Sequence, residues 1–132
     1  MHRLFLKNMF EEPGSAEYDE LLSKVDEVIV SPITPMEIQS VHAKYVKNHW
    51  ITGSQSERLQ LEIKKDFTYF SIILWNENLE VKAAEIVRKY FLKTLDAIQL
   101  ASGFLSEADL FVTSDQKLYQ EAKKILKHVQ YI

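Results

Sequence analysis

The sequence contains no cysteine, only three glycines and three prolines, and no apolar stretch approaching the 18 or so residues that span a bilayer. Without cysteine, the chain has no disulfide framework and no thiolate that could ligate a metal or act as a nucleophile. The N-terminal block Met1–Lys7 has too short an apolar core, and no small-residue cleavage site, for a secretory signal. These absences predict a cytoplasmic protein with no membrane association.

Length and charge narrow the function classes further. The 132 residues predict one domain, residues 1–132, large enough to bury about two-thirds of its unfolded surface. Sixteen basic and nineteen acidic residues give a net charge of −3, which argues against holding nucleic acid by bulk electrostatics. Nucleic-acid chemistry at an acidic site loaded with divalent ions stays open, because such ions invert the local charge. The pairs Lys64-Lys65 and Lys123-Lys124 are interpreted as solvated helix faces.

Short β-branched apolar runs alternate with amphipathic segments along the chain. The runs predict strands at 27–31, 72–74, 110–113 and 129–132, and the segments predict helices at 15–24, from 34, 54–70, 78–90, 94–105 and 116–127. Leu4–Phe10 fits either a helix or a strand. The alternation indicates an α/β domain with a parallel sheet covered by helices on both faces, although it does not give the strand order.

Polar residues at the starts of these helices predict their caps. Ser15 can cap the first helix after the Pro13-Gly14 break, and Ser54 with Glu57 matches a capping box. Asn78 can cap the helix that runs to about Tyr90.

Three acids fall where functional groups gather in an open parallel sheet, beyond the carboxyl ends of the strands. Glu37 follows the strand ending near Ser31, Asp96 lies at a helix start, and Asp115 follows the strand ending near Thr113. Each also has a structural interpretation. Glu37 fits a capping box closed with the threonine three residues earlier, Asp96 suits the positive end of a helix dipole, and Asp115 is a good N-cap.

Converging on one crevice, the three carboxylates would repel one another unless a cation held them together. Magnesium and manganese take such oxygen ligands, and an acidic site of this kind suits phosphodiester hydrolysis. Thr113 and Ser114 could hydrogen-bond a substrate phosphate or a water beside Asp115, or could serve strand-end packing and turn formation. Periodicity alone does not establish that the acids converge.

The motifs in the last third carry a more specific signal. "LKTLDAIQLA" (92–101) followed by "ADLFVTSDQKLYQEAKKI" (108–125) closely resembles the PIN domain in its VapC-type toxin subfamily, and "EEPGS" (11–15) and "VIVSPITPMEI" (28–38) resemble its early region in the same order. The resemblance implies a central parallel sheet and a divalent-metal endoribonuclease that uses Mg²⁺ or Mn²⁺ on an RNA substrate. It also implies an antitoxin partner and a homodimer. By resemblance, Glu37, Asp96 and Asp115 match the second, third and fourth acids of the metal site.

The sequence departs from this family at the first acid, which normally ends a short opening strand. A gap-free alignment through "LFLKNMFEEPGS" puts that position at Met1 and leaves the strand absent. A second alignment makes Leu4–Leu6 the strand, puts Lys7 at the acid's position and shortens the first helix. The gap-free alignment is favoured because it matches the apolar pattern and a lysine in the helix. Neither alignment provides an aspartate or glutamate, so we expect weak metal binding and reduced catalysis.

Two function hypotheses follow. The first is an endoribonuclease of the VapC toxin type, and the alternative is a PIN fold that lost its first acid and acts as a protein- or RNA-binding module. A third possibility is that the native chain starts upstream, with the missing strand and aspartate.

Burial gives a direct structural check. We predict buried side chains for Ile29, Ile98, Leu100 and Val112. The four histidines show no metal-ligand spacing, and we expect them at the surface or half-buried.

Overall fold

The computed structural model of the protein describes residues 3–7 and 16–132, apart from the side chains of Glu17 and Tyr18. The predicted cap at Ser15 and the segment 11–15 lie outside the described residues. In chain order the elements are β1 (Arg3–Leu6), α1 (Ala16–Ser23), β2 (Glu27–Val30), α2 (Thr34–Lys47), α3 (Gly53–Phe67), β3 (Phe70–Ile72), α4 (Glu77–Tyr90), α5 (Thr94–Ser106), β4 (Leu110–Thr113), α6 (Gln116–Ile125) and β5 (Val129–Tyr131). Among the described helices, none has the length and apolarity needed to cross a membrane.

The five described strands form one parallel sheet in the order β3-β2-β1-β4-β5, with β1 at its centre. Leu4 of β1 is in register with Val28 of β2 on one side and with Leu110 of β4 on the other. The α/β prediction with a helix-covered parallel sheet is confirmed.

Alternate side chains of the central strands pack into two apolar clusters, because successive residues of a strand point to opposite faces. Phe5, Ile29 and Phe111 join residues of α4, α5 and α6, and the Phe5 and Phe111 rings stack with centroids 5.2 Å apart. The second cluster packs against Leu21 of α1 and Phe67 of α3, and its strand members are Leu4, Leu6, Val30 and Val112. The predicted burial of Ile29, Ile98, Leu100 and Val112 is confirmed, as is the exposure of Lys123 and Lys124.

The opening strand corrects the favoured sequence alignment. Arg3–Leu6 is a strand, and its last three side chains are fully buried between β2 and β4. Lys7 follows it directly, with its backbone N–H donating to the Val112 carbonyl at 3.0 Å. The gap-free alignment, which left this strand absent, is therefore wrong. The alternative alignment, which makes Leu4–Leu6 the strand, agrees with this structure, and its placement of Lys7 at the position of the family's first acid stays a prediction.

Two predicted helix starts were two residues too late. Helix α3 is capped by Thr52, which forms a complete capping box with Gln55 at 2.8 and 3.2 Å. Helix α4 is capped by Asn76, whose side chain accepts the Leu79 N–H at 2.9 Å. The predicted caps at Ser54 and Asn78 are wrong because an equally competent cap precedes each of them.

The strand between these two helices is displaced in the same direction. It covers Phe70–Ile72 rather than residues 72–74, and Leu74 lies beyond it, largely exposed. Helix α3 correspondingly ends at Phe67 and not at residue 70.

Candidate active site

The carboxyl edge of the sheet brings together the ends of several elements. Lys7 follows β1, Ser31 follows β2, and Ser114 and Asp115 follow β4. Helices α2 and α6 begin at this edge because each follows a parallel strand. Helix α5 also begins there, since it must run back across the sheet before β4 starts. The edge therefore collects helix N-termini, which favour negative charge and anionic ligands.

The turn between β2 and α2 is closed by hydroxyl groups. The buried Ser31 and Thr34 side chains hydrogen-bond each other at 3.0 Å, and Ser31 Oγ also accepts the Ile33 N–H at 3.2 Å. Helix α2 has Ile33 at its N-cap, without a side-chain cap bond. The predicted capping box between Thr34 and Glu37 is therefore wrong, and the Glu37 carboxylate has a different partner.

That partner is Gln99 on α5. The Gln99 side chain is fully buried, and its Nε2 donates a hydrogen bond to Glu37 Oε1. Gln99 lies three residues after Asp96, and residues with this spacing share one face of a helix. The bond therefore brings the Glu37 carboxylate beside the first turns of α5. Sequence reasoning missed Gln99, although one amide inside the apolar stretch "AIQLA" was a usable signal, since buried polar groups need partners.

Asp96 lies in the first turn of α5 and is half-buried. The N-cap of this helix is Lys93, which makes no side-chain cap bond. Among the described residues, the Asp96 carboxylate forms no hydrogen bond or ion pair. It benefits from the helix dipole without serving as a cap, and its oxygens stay available to a ligand.

Asp115 is the N-cap of α6, as its structural interpretation predicted. Its Oδ1 accepts the Leu118 N–H at 3.0 Å, and its own N–H donates to Thr113 Oγ1 at 3.0 Å. The buried Thr113 hydroxyl thus fixes the turn that carries Asp115, while Ser114 between them is half-buried. Capping uses one oxygen of the Asp115 carboxylate, and the other has no partner within the part of the chain that the structure describes.

The donor set at this edge suits a hard divalent ion. Carboxylate and amide oxygens are the ligands that magnesium and manganese prefer, and Gln99 Oε1 is buried without a hydrogen-bond partner among the described residues. Within residues 3–7 and 16–132, no three His, Asp or Glu side chains are grouped closely enough to hold an ion. The structure joins Glu37 to α5 through Gln99. A shared metal site of Glu37, Asp96 and Asp115 stays a prediction.

Comparisons with known proteins identify the family and the fold. The PIN domain family model matches residues 3–124. A comparison with curated protein sequences finds no match.

Several solved structures are similar to this one. A toxin–antitoxin complex from Klebsiella pneumoniae contains a chain with 25% identity and a TM-score of 0.56, covering 80% of this chain and 78% of that one. A protein from Pyrobaculum aerophilum has 16% identity and a TM-score of 0.63, covering 95% and 88%. A chain of VapBC-1 from nontypeable Haemophilus influenzae has 16% identity and a TM-score of 0.61, covering 98% and 97%. At 16% identity, the last two show a shared fold alone.

Proposed function

The chain belongs to the PIN domain family, and from this premise we propose that it is a divalent-metal-dependent endoribonuclease of the VapC toxin type. The observation that supports the proposal most directly is the hydrogen bond from Gln99 to Glu37. It brings one acid from α2 beside α5, one helical turn from Asp96. In the proposed site, these two acids, far apart in sequence, meet at the sheet edge where α/β proteins bind ligands.

Each residue of the proposed site has a separate role. Glu37, Asp96 and Asp115 would hold a Mg²⁺ or Mn²⁺ ion. When bound, such an ion activates water and stabilises the charge that develops on the phosphodiester. Gln99 orients the Glu37 carboxylate by donating to one of its oxygens.

Thr113 holds the turn before Asp115 by accepting its N–H, which leaves the hydroxyl hydrogen of Thr113 able to donate. In the proposed site, the half-buried Ser114 hydrogen-bonds a substrate phosphate or an ordered water, whereas the fully buried Thr113 hydroxyl can reach an ordered water alone.

The proposal includes partners. The substrate is RNA, and a cognate antitoxin binds the protein. The similarity to a chain in a toxin–antitoxin complex, at 25% identity over 80% of this chain, supports the antitoxin. A homodimer follows from the resemblance to VapC-type toxins.

One observation favours a second candidate function, a binding module with little catalytic power. Lys7 stands at the end of the central strand, where the family's first acid is expected. With one carboxylate fewer, the site offers less charge to offset dehydration of magnesium, whereas manganese tolerates less regular sites. We therefore expect the natural chain to cleave RNA poorly with magnesium and modestly with manganese.

Because β1 is present, the missing acid can be restored by a single substitution. The experiment measures cleavage of a mixed RNA by the natural chain, Lys7→Asp, and Lys7→Asp combined with Asp96→Asn, with each metal and with a chelator. Lys47→Asp is the matched control, since Lys47 is exposed in the last turn of α2, roughly 15 Å along the helix from Glu37. We expect Lys7→Asp to raise cleavage, Asp96→Asn to abolish that gain, and the control to behave like the natural chain.

Two results would change this conclusion. Absence of cleavage by every variant with either metal would contradict the ribonuclease and leave the binding module. Strong magnesium-dependent cleavage by the natural chain, lost on Asp96→Asn, would show that three acids suffice and would remove the binding module from consideration.

A further inference from the structure

The Gln99 amide points to a cation at the candidate site. Its Nε2 donates to Glu37, so its Oε1 cannot face that carboxylate without repulsion, and the orientation of the amide is fixed by chemistry. Oε1 is then a buried acceptor without a partner among the described residues. Leaving such an acceptor unsatisfied costs free energy. An acceptor beside a carboxylate is satisfied best by a positively charged donor or a metal ion.

The packing of α5 against the sheet shows which strand residues lie beside the Gln99 amide when positions are compared along the direction of the strands. A Cβ added to Gly103 would lie 2.6 Å from the Phe111 ring and 3.6 Å from the Phe5 ring, so α5 lies directly on β4 and β1. Gln99 precedes Gly103 by four residues, about 6 Å along the helix. Lys7 follows Phe5 by two residues, about 6.6 Å along the strand. Both distances are measured from the contact of Gly103 with the two rings toward the carboxyl edge of the sheet. Gln99 and Lys7 therefore lie at about the same position along the strand direction.

The direction of the Lys7 side chain follows from β1. Side chains two residues apart share one face of a strand, and the Lys7 N–H continues the pairing with β4 at the Val112 carbonyl. Lys7 therefore continues the face of Phe5, the face covered by α5. The residue is half-buried, and its ammonium forms no ion pair with the described carboxylates. A flexible four-carbon stem lets the ammonium reach neighbouring acceptors.

We propose that the Lys7 ammonium competes with a divalent ion for this crevice. Its flexible stem lets it swing toward Gln99 Oε1 and the carboxylates of Glu37 and Asp96, although it forms no ion pair with described carboxylates in this structure. The inference rests on the site of the proposed function and adds a residue that controls its metal affinity. Lys7 has two effects at this position. It removes a carboxylate ligand, and it places a positive charge where a divalent ion would bind.

The two effects are separated by comparing a neutral with an acidic replacement. Mn²⁺ binding is measured by isothermal titration calorimetry, without RNA, for the natural chain, Lys7→Met and Lys7→Asp. We expect Lys7→Met to bind Mn²⁺ about tenfold more tightly than the natural chain, since it loses the competing charge without gaining a ligand. Lys7→Asp should bind more tightly still, and Asp96→Asn in that variant should remove the gain. Lys47→Met, which loses the same charge far from the site, should match the natural chain.

The outcomes decide the inference independently of cleavage. Equal Mn²⁺ binding by the natural chain and Lys7→Met, or none by either, would overturn it, as would an equal gain in Lys47→Met. If Lys7→Met fails to fold by circular dichroism, Lys7→Gln gives the same comparison. If Lys7→Asp binds Mn²⁺ and cleaves no RNA, the proposed ribonuclease fails while the role of Lys7 stands.

Discussion

Helices α5 and α3 are similar in length, and they are attached to the molecule in different ways. α5 has 13 residues, and eight of them are buried against the sheet and α4. α3 has 15 residues, of which Ile63 alone is buried. α5 is therefore held mainly by apolar packing of its central residues, among them Ala97, Ile98, Leu100 and Ala101. α3 lies on the outside of the fold and needs other interactions.

Those interactions are polar. The buried His42 of α2 lies 3.0 Å from Ser56 Oγ through its Nε2, and its Nδ1 lies 3.0 Å from Gln60 Nε2. Gln60 also pairs with Gln39 at 2.9 and 3.2 Å. Because the Gln60 amide donates to Nδ1, the imidazole proton is assigned to Nε2. The expectation that every histidine would be exposed or half-buried was wrong for His42, whose polar partners offset the cost of its burial.

A groove of about 810 Å³ runs between α2 and α3 beside this network. Met36 and Leu61 on its walls are 71% and 69% exposed. Packing fixes α5 onto the sheet, and this explains how Asp96 and Gln99 are held. α3 is fixed by caps and amides, which leaves its own apolar side chains at the surface.

The largest expected difference between the helices is the loss of folding stability when one leucine in each is replaced by alanine. Leu100 of α5 is fully buried, so Leu100→Ala should lower the free energy of unfolding by about 2–5 kcal/mol through lost burial and a cavity. Leu61→Ala in α3 should change it by less than about 0.5 kcal/mol. Chemical denaturation of both variants measures the difference. A loss of several kcal/mol in Leu61→Ala would show that α3 belongs to the core.

The two helical glycines provide a smaller contrast. Gly103 of α5 leaves no room for a side chain against Phe111, whereas Gly53 of α3 has nothing within 4 Å of a built Cβ. We expect Gly103→Val to cost about 1–3 kcal/mol through overpacking and Gly53→Val to stay within about 0.5 kcal/mol. Thermal and urea unfolding measure both. Equal effects would contradict the close approach of α5 to the sheet.

The smallest effect concerns charge at the end of α3. The pKa of the Asp66 carboxyl is raised above its usual value of 3.8. The main cause is partial burial of the side chain, and the second is repulsion by the negative charge of the nearby Glu62. The folded state therefore holds this proton more tightly than the unfolded chain, and stability falls as pH rises from 3.8 through the folded pKa. At neutral pH, Asp66→Asn should stabilise the protein slightly, by less than about 0.5 kcal/mol, because the residue is largely exposed.

The pH series provides the check on Asp66. The stabilisation by Asp66→Asn should shrink as the pH falls toward 3.8, with Asp19→Asn on α1 as an exposed control. A benefit that grows on acidification would contradict the raised pKa.

The same contrast explains what could be predicted from the sequence. Where packing decides the structure, prediction succeeded: β4 was predicted with its observed bounds, α5 with its observed start, and Asp115 as the cap of α6. Around α3, the choice between Thr52 and Ser54 as cap depends on where the preceding chain leaves α2. Local sequence does not contain that information.

The opening strand β1 was not predicted, for a different reason. Leu4–Leu6 is a short apolar run that fits helix and strand equally well, and only its place between β2 and β4 settles the choice. The bond from Gln99 to Glu37 joins residues 62 positions apart, so no local pattern could reveal it.

We propose that Glu37, Asp96 and Asp115 serve one metal site and that Lys7 occupies the position of its first ligand. The most direct measurement is anomalous X-ray diffraction from crystals of the Lys7→Asp variant grown with Mn²⁺. We expect an anomalous peak at the carboxyl edge of the sheet, within ligand distance of the introduced carboxylate and of at least two of the three natural acids. A peak elsewhere, or none while Asp115 only caps α6, would contradict the shared site.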